Sequence, residues 1–95
     1  MASMIALSQS VMASPDHVAC DLDNETVILS LKSGEYFGLN PVAAAVWKMI
    51  QVKRNVIAVR DGLMAQFVDV KLERCEEELV GLLVELKNLG LVEVN

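Results

Sequence analysis

The sequence is poor in the residues that most often mark chemistry. Its 95 residues include one histidine, His17, and two cysteines, Cys20 and Cys75. Neither cysteine belongs to a CxxC, and neither has a histidine beside it, so no metal site is expected. The two could close a disulfide, although two free thiols in a reducing cytosol is the simpler reading. Aromatic residues make up 4% against 54% hydrophobic, so the core must be built from Leu, Val, Ile, Ala and Met. No apolar run approaches the ~20 residues needed to span a membrane. The opening MASMIALSQSVMAS lacks the basic start and continuous apolar stretch of a secretory signal. A soluble, cytoplasmic protein with no membrane partner is expected. A net charge of −5 leaves no general basic surface, which argues against a nucleic-acid partner.

Catalytic patterns are missing as well. There is no GxGxxG and no GxxxxGK[ST], and His17 has no evident nucleophile or acid to work with. Glu76, Glu77 and Glu78 are consecutive on a helix. They point in different directions and suit the positive end of the helix dipole better than a paired-carboxylate site. No catalytic residue, no cofactor and no enzyme activity are expected.

What is present is a clear order of elements. A chain of this length forms one domain, residues 1–95, with residues 1–10 expected as a loose arm or a short edge strand. HVACDL (17–22) and ETVILSL (25–31) read as strands around Asp23-Asn24, a pair that tolerates the positive φ of a tight hairpin. In the second strand Val27, Leu29 and Leu31 share one face, and Ile28 and Ser30 the other. Lys32-Ser33-Gly34 is a second turn, and EYFGL (35–39) a third strand. Asn40-Pro41 starts a helix over 41–51, with Asn as cap and Pro at the first helical position. Its stripe is Val42, Val46, Met49 and Ile50. Asn55 caps a second helix from Val56 to about Phe67. A third runs from Lys71 to Leu89, buries Leu72, Cys75, Leu79, Leu82, Leu83 and Leu86, and stops at Gly90. LVEV (91–94) can add a short strand. The expected class is α+β: a three-stranded antiparallel sheet followed by three helices.

Two features remain outside this frame. From Lys48 to Arg60 there are four bases, Lys48, Lys53, Arg54 and Arg60, and no acid. They form either a solvated surface or a docking patch for an acidic partner. On the last helix, stepping about 100° per residue from Leu79 puts Val80 near 100°, Val84 near 140° and Gly81 almost opposite the core. Scattered surface valines are ordinary. The other reading is an apolar strip, low at Gly81, against which another chain lies. The third strand ends the meander, so it keeps a free edge unless the C-terminal strand covers it. Such edges bind extended peptides.

The ordered set VILSLKSGEYFGLNPVAAAVWKMI, a helix closing in FVDV, and ERCEEELVGLLVELKNLGLVEV resembles the PqqD-like family over about Val11–Val94. These are small leader-peptide-binding proteins, also called RiPP recognition elements. The resemblance implies a winged-helix-like arrangement that binds the leader of a ribosomally made precursor peptide. The leader adds as a strand beside the third strand, in the groove against the last helix. The domain then presents it to a modifying enzyme, a radical SAM protein or a leader peptidase. Carried over by position, the edge is Glu35, Tyr36, Phe37, Gly38 and Leu39. The helix wall is Val80, Gly81 and Val84 with Glu77 and Lys87, and Arg74 would meet an acidic leader. One departure is Ile57-Ala58, with Arg60 nearby, where relatives often carry acids.

Two other readings share the helix arrangement. A small winged-helix DNA-binding regulator would need basic side chains on its recognition helix. The last helix instead has five acids (Glu73, Glu76, Glu77, Glu78, Glu85) against three bases (Lys71, Arg74, Lys87). A structural subunit of an enzyme complex would dock through Lys48–Arg60. The free sheet edge also leaves a homodimer open.

Overall fold

A computed structural model describes residues 5–22, 25–67 and 69–95. The Asp23-Asn24 turn and Val68 of the FVDV connection lie outside the described residues. The elements are β1 (Ser10–Ala13), β2 (His17–Leu22), β3 (Glu25–Ser30), β4 (Tyr36–Leu39), α1 (Pro41–Met49), β5 (Arg54–Asn55), α2 (Val56–Gln66), α3 (Leu72–Asn88) and β6 (Val92–Val94). The fold is α+β, with the expected meander β2-β3-β4 and three helices.

The meander is antiparallel throughout, with His17 opposite Ser30 and Leu22 opposite Glu25, then Thr26 opposite Leu39 and Leu29 opposite Tyr36. Ile28 and Ser30 take the inner face, both fully buried, while Leu31 on the other face is exposed. A serine can occupy that position because its hydroxyl accepts from the Ser33 N–H and its carbonyl from the Gly34 N–H. Gly34 closes the turn at φ 73°, a conformation that favours glycine.

A second sheet, in the order β5-β1-β6, was not anticipated. Its strands have two to four residues, too few for alternation to register. β1 is the middle strand, pairing Val11 with Arg54 on one side and with Val94 on the other. The C-terminal strand therefore joins the chain's beginning and not the meander. Ile5 is buried in the same core, so the described part of residues 1–10 is packed and not a loose arm.

The helices begin and end where local chemistry directs. Asn40 Oδ1 accepts from the Ala43 N–H at 2.8 Å, and Asn55 Oδ1 from the Ile57 N–H at 2.9 Å. At the end of α3 the Gly90 N–H donates to the Lys87 carbonyl and the Leu91 N–H to the Leu86 carbonyl, with Gly90 at φ 75°. This is the paired-bond glycine stop of many helices. Gly62 in α2 lies against α1, where a Cβ would come within 2.7 Å of Met49 Sδ.

The core joins Val46, Trp47 and Ile50 of α1, Val56, Val59 and Leu63 of α2, and Cys75, Leu79, Leu83 and Leu86 of α3. Burying one such Leu or Val stabilises by about 1.5–3 kcal/mol. Trp47 is buried, with the His17 ring edge-on at 4.9 Å. His17 Nδ1 donates to the Ser14 carbonyl at 2.6 Å. Two expected core residues are not enclosed. Leu72, at the first position of α3, is exposed, and Leu82 is only half-buried. Both cysteines are free, Cys20 exposed and Cys75 buried.

Candidate functional site

The unpaired edge of β4 follows from its hydrogen-bond pattern. The Ser30 N–H donates to the Glu35 carbonyl at 2.9 Å, so residues 30 and 35 form a hydrogen-bonded pair. Such pairs alternate along an antiparallel ladder. With the observed register, Phe37 and Leu39 therefore turn their N–H and C=O groups toward β3. Tyr36 and Gly38 turn theirs outward, where no other strand pairs with β4 among the described residues. Side chains alternate too. Leu39 is buried and Phe37 packs on the core, whereas Tyr36 is 73% exposed.

Gly38 sits in regular register with Val27, without a bulge. The space beside it is not empty. A Cβ there would approach Glu25 Oε1 to 2.7 Å, although that atom ends a flexible side chain.

β4 runs directly into Asn40, and Asn40 is on the wall of a cleft of about 480 Å³. That volume lies within the ~300–1,000 Å³ usual for ligand pockets. Val42, Ala43 and Val46 of α1 line it, with Leu63 and Phe67 at the end of α2, and Val70. From α3 come Cys75, Glu78, Leu79, Gly81, Leu82 and Glu85. Of the cleft's apolar residues Val42 is exposed, and Leu82, Phe67 and Val70 are half-buried.

The expected helix wall is thus divided. Gly81 lines the cleft, and a Cβ on it would meet nothing within 4 Å. Val80, Val84, Glu77 and Lys87 lie on the other flank of α3 and are absent from the cleft lining. Val84 is half-buried against the core. Arg74 does not line the cleft either. Its Nε is 3.1 Å from Glu78 Oε1, an exposed pair one helical turn apart. The charges bordering the cleft are the carboxylates of Glu78 and Glu85.

The basic residues separate in the same way. Arg60 bridges α2 to α3 through Glu76 and also pairs with Asp61. The hydrogen bonds it donates to Glu76, then to Asp61, hold its guanidinium above the ordinary arginine range. Arg54 Nε donates to the Met49 carbonyl at 2.6 Å. Lys48 and Lys53 are exposed, with no ion pair among the described residues.

No cluster of three or more His, Cys, Asp or Glu among the described residues could hold a metal ion. None of their helices is long and apolar enough to cross a membrane. Burial pushes the Cys75 thiol up from its ordinary value, and the Glu78 charge adds to that.

The family model for coenzyme PQQ synthesis protein D (PqqD) matches residues 25–92. The chain belongs to the PqqD family. A comparison with curated proteins finds no match. Among solved structures the fold is similar to TbiB1 in complex with the TbiA(beta) leader peptide. The two share 29% identity over 86% of this chain and 94% of that one, with a TM-score of 0.76. It is also similar to a lasso peptide synthetase B1 complexed with the leader peptide, at 23% identity over 87% of this chain and 96% of that one, TM-score 0.73. At that second identity the shared property is the fold.

Within this PqqD-family chain, sequence reasoning missed Asn40, Val42, Phe67, Glu78, Leu82 and Glu85 as cleft residues. One signal was available. Leu82 lies about 60° from Leu79, at the margin of the buried arc, on the flank away from Val80.

Proposed function

We propose that this protein is a RiPP recognition element, a peptide chaperone that binds the leader of a ribosomally synthesised precursor. The leader pairs as an added strand with the outward groups of Tyr36 and Gly38, and its side chains enter the cleft between α1 and α3. The observation that carries this reading is the unpaired β4 edge running into an apolar cleft. Membership of the PqqD family supports it, as do the leader-peptide complexes of TbiB1 and of the lasso peptide synthetase B1.

The role is presentation. The bound precursor passes to a modifying enzyme, a radical SAM protein or a leader peptidase, and the domain makes no covalent change itself. Lys48, Lys53 and Arg54 are exposed and make no ion pair among the described residues, which leaves them for that encounter, with Arg54 also bonded to the Met49 carbonyl. Reversing the charges of Lys48 and Lys53 should release the enzyme from co-purification while leaving leader binding intact.

The decisive measurement is a titration of labelled protein with the synthetic leader of its precursor, to be sought as a short reading frame among the neighbouring genes. A dissociation constant of about 1 μM or below, near −8 kcal/mol, is expected. Amide shifts should concentrate at Tyr36–Leu39, Val42 and Leu82. Shifts confined to β1, β5 and β6 would sink the proposal.

A further inference from the structure

The lining of the cleft is apolar except at its border, and that border has one sign. Among the described residues Glu78 and Glu85 are its charged members, and no lysine, arginine or histidine lines it. The two acids share the flank that carries Leu82, two helical turns apart, roughly 10 Å along the axis. They are not equivalent. Glu78 is held by Arg74 at 3.1 Å, whereas Glu85 has no salt bridge among the described residues. The whole chain carries −5, so no distant excess of base offsets this border.

We propose that the cleft selects a basic peptide: one whose apolar side chains rest on Val42, Phe67 and Leu82 while a lysine or arginine meets Glu85. This rests on the reading of the cleft as a leader site, and it names the chemistry of the leader. It reverses the expectation drawn from Arg74, because Arg74 is already paired and stands outside the lining. A cation over this border lies beside a wall that excludes water on one side. Its attraction to Glu85 is therefore screened less than that of a free surface pair. An acidic residue at the same place would face the unpaired Glu85 carboxylate, which turns this end of the border into a filter against acidic sequences.

The test uses the full chain and the synthetic leader of the same precursor in three forms: native, with every Lys and Arg replaced by Gln, and with each replaced by Glu. Fluorescence anisotropy at low and high salt reads the affinity. The native form should bind about tenfold more tightly than the Gln form, with the gap narrowing at high salt. Glu85→Gln should weaken the native form by a similar factor and leave the Gln form unchanged. Glu85→Lys should recover the Glu form. Glu77→Gln, on the other flank, should alter none of them. Glu85 and Glu77 are exposed, so circular dichroism should show every variant folded.

Equal binding of the native and Gln forms, or a change below twofold in Glu85→Gln, overturns the basic-peptide proposal and leaves the leader reading standing. A native leader without Lys or Arg that still binds does the same. Failure of all three forms to bind the folded wild-type chain overturns both.

Discussion

In the sheet of β5, β1 and β6 the middle strand is enclosed on both edges, and Val11 at its centre is fully buried. In the sheet of β2, β3 and β4 each outer strand keeps an unpaired edge among the described residues. Its outward face also leaves Val18, Leu22 and Tyr36 exposed at 52%, 56% and 73%. The short strands close the fold by tying the chain's beginning to its end. The longer ones hold an edge open, a feature that soluble proteins usually blunt because it invites pairing. In the proposed reading binding falls to the outer edge of β4, while Ile28 and Leu39 of the same sheet keep its inner face in the core. That division allows β4 to stay unpaired without loosening the core.

The sharpest way to break the comparison is to weaken each sheet in turn. Leu91, fully buried where the chain enters β6, should cost about 2–5 kcal/mol as Leu91→Ala, read by chemical denaturation. Leader affinity measured under folding conditions should change little. Tyr36→Pro should do the opposite. It removes an outward N–H while leaving the ladder to β3 intact, and proline is tolerated at such an edge. Stability should fall by less than about 1 kcal/mol, and leader binding should weaken about tenfold, the worth of one good hydrogen bond.

Smaller effects sharpen the boundary between the two roles. Gly81→Ala should raise stability by about 1 kcal/mol, since alanine is the better helix former and its Cβ meets nothing. The same methyl narrows the cleft and should lower leader affinity severalfold, so the two readouts move in opposite directions. A gain in stability with affinity unchanged would show that Gly81 has no part in binding. The least perturbing test is alkylation followed by mass spectrometry. Exposed Cys20 should react first. Cys75 should react more slowly, because burial both blocks access and disfavours its thiolate. Bound leader should slow Cys75 further, because it lines the cleft.

Much of the fold was legible because it is written locally. Asn40, Asn55, Gly34 and Gly90 each act within a few residues, and each stands where its side chain or its freedom at positive φ is used. Strands 17–22 and 25–30 were legible by alternation. LVEV was legible as a strand but not its partner, and β1 and β5 were not legible, because two to four residues carry no period. The edge at Glu35–Leu39 was read from strand order, and on the last helix the angles marked Val80, Gly81 and Val84, of which Gly81 lines the cleft. Angles on a helical wheel give two flanks and do not say which is covered. The structure leaves the flank of Leu82 and Glu85 open to the cleft.

The sequence by itself determined the caps, the turns and the apolar stripes, since these depend on residue chemistry over short spacings. Only the tertiary structure decided that β6 pairs with β1, so that β4 keeps a free edge. It also decided that α3 turns two carboxylates toward the groove. Both outcomes depend on which distant segments meet, and a strand's hydrogen-bonding groups look alike from the sequence whether or not a partner arrives to fill them.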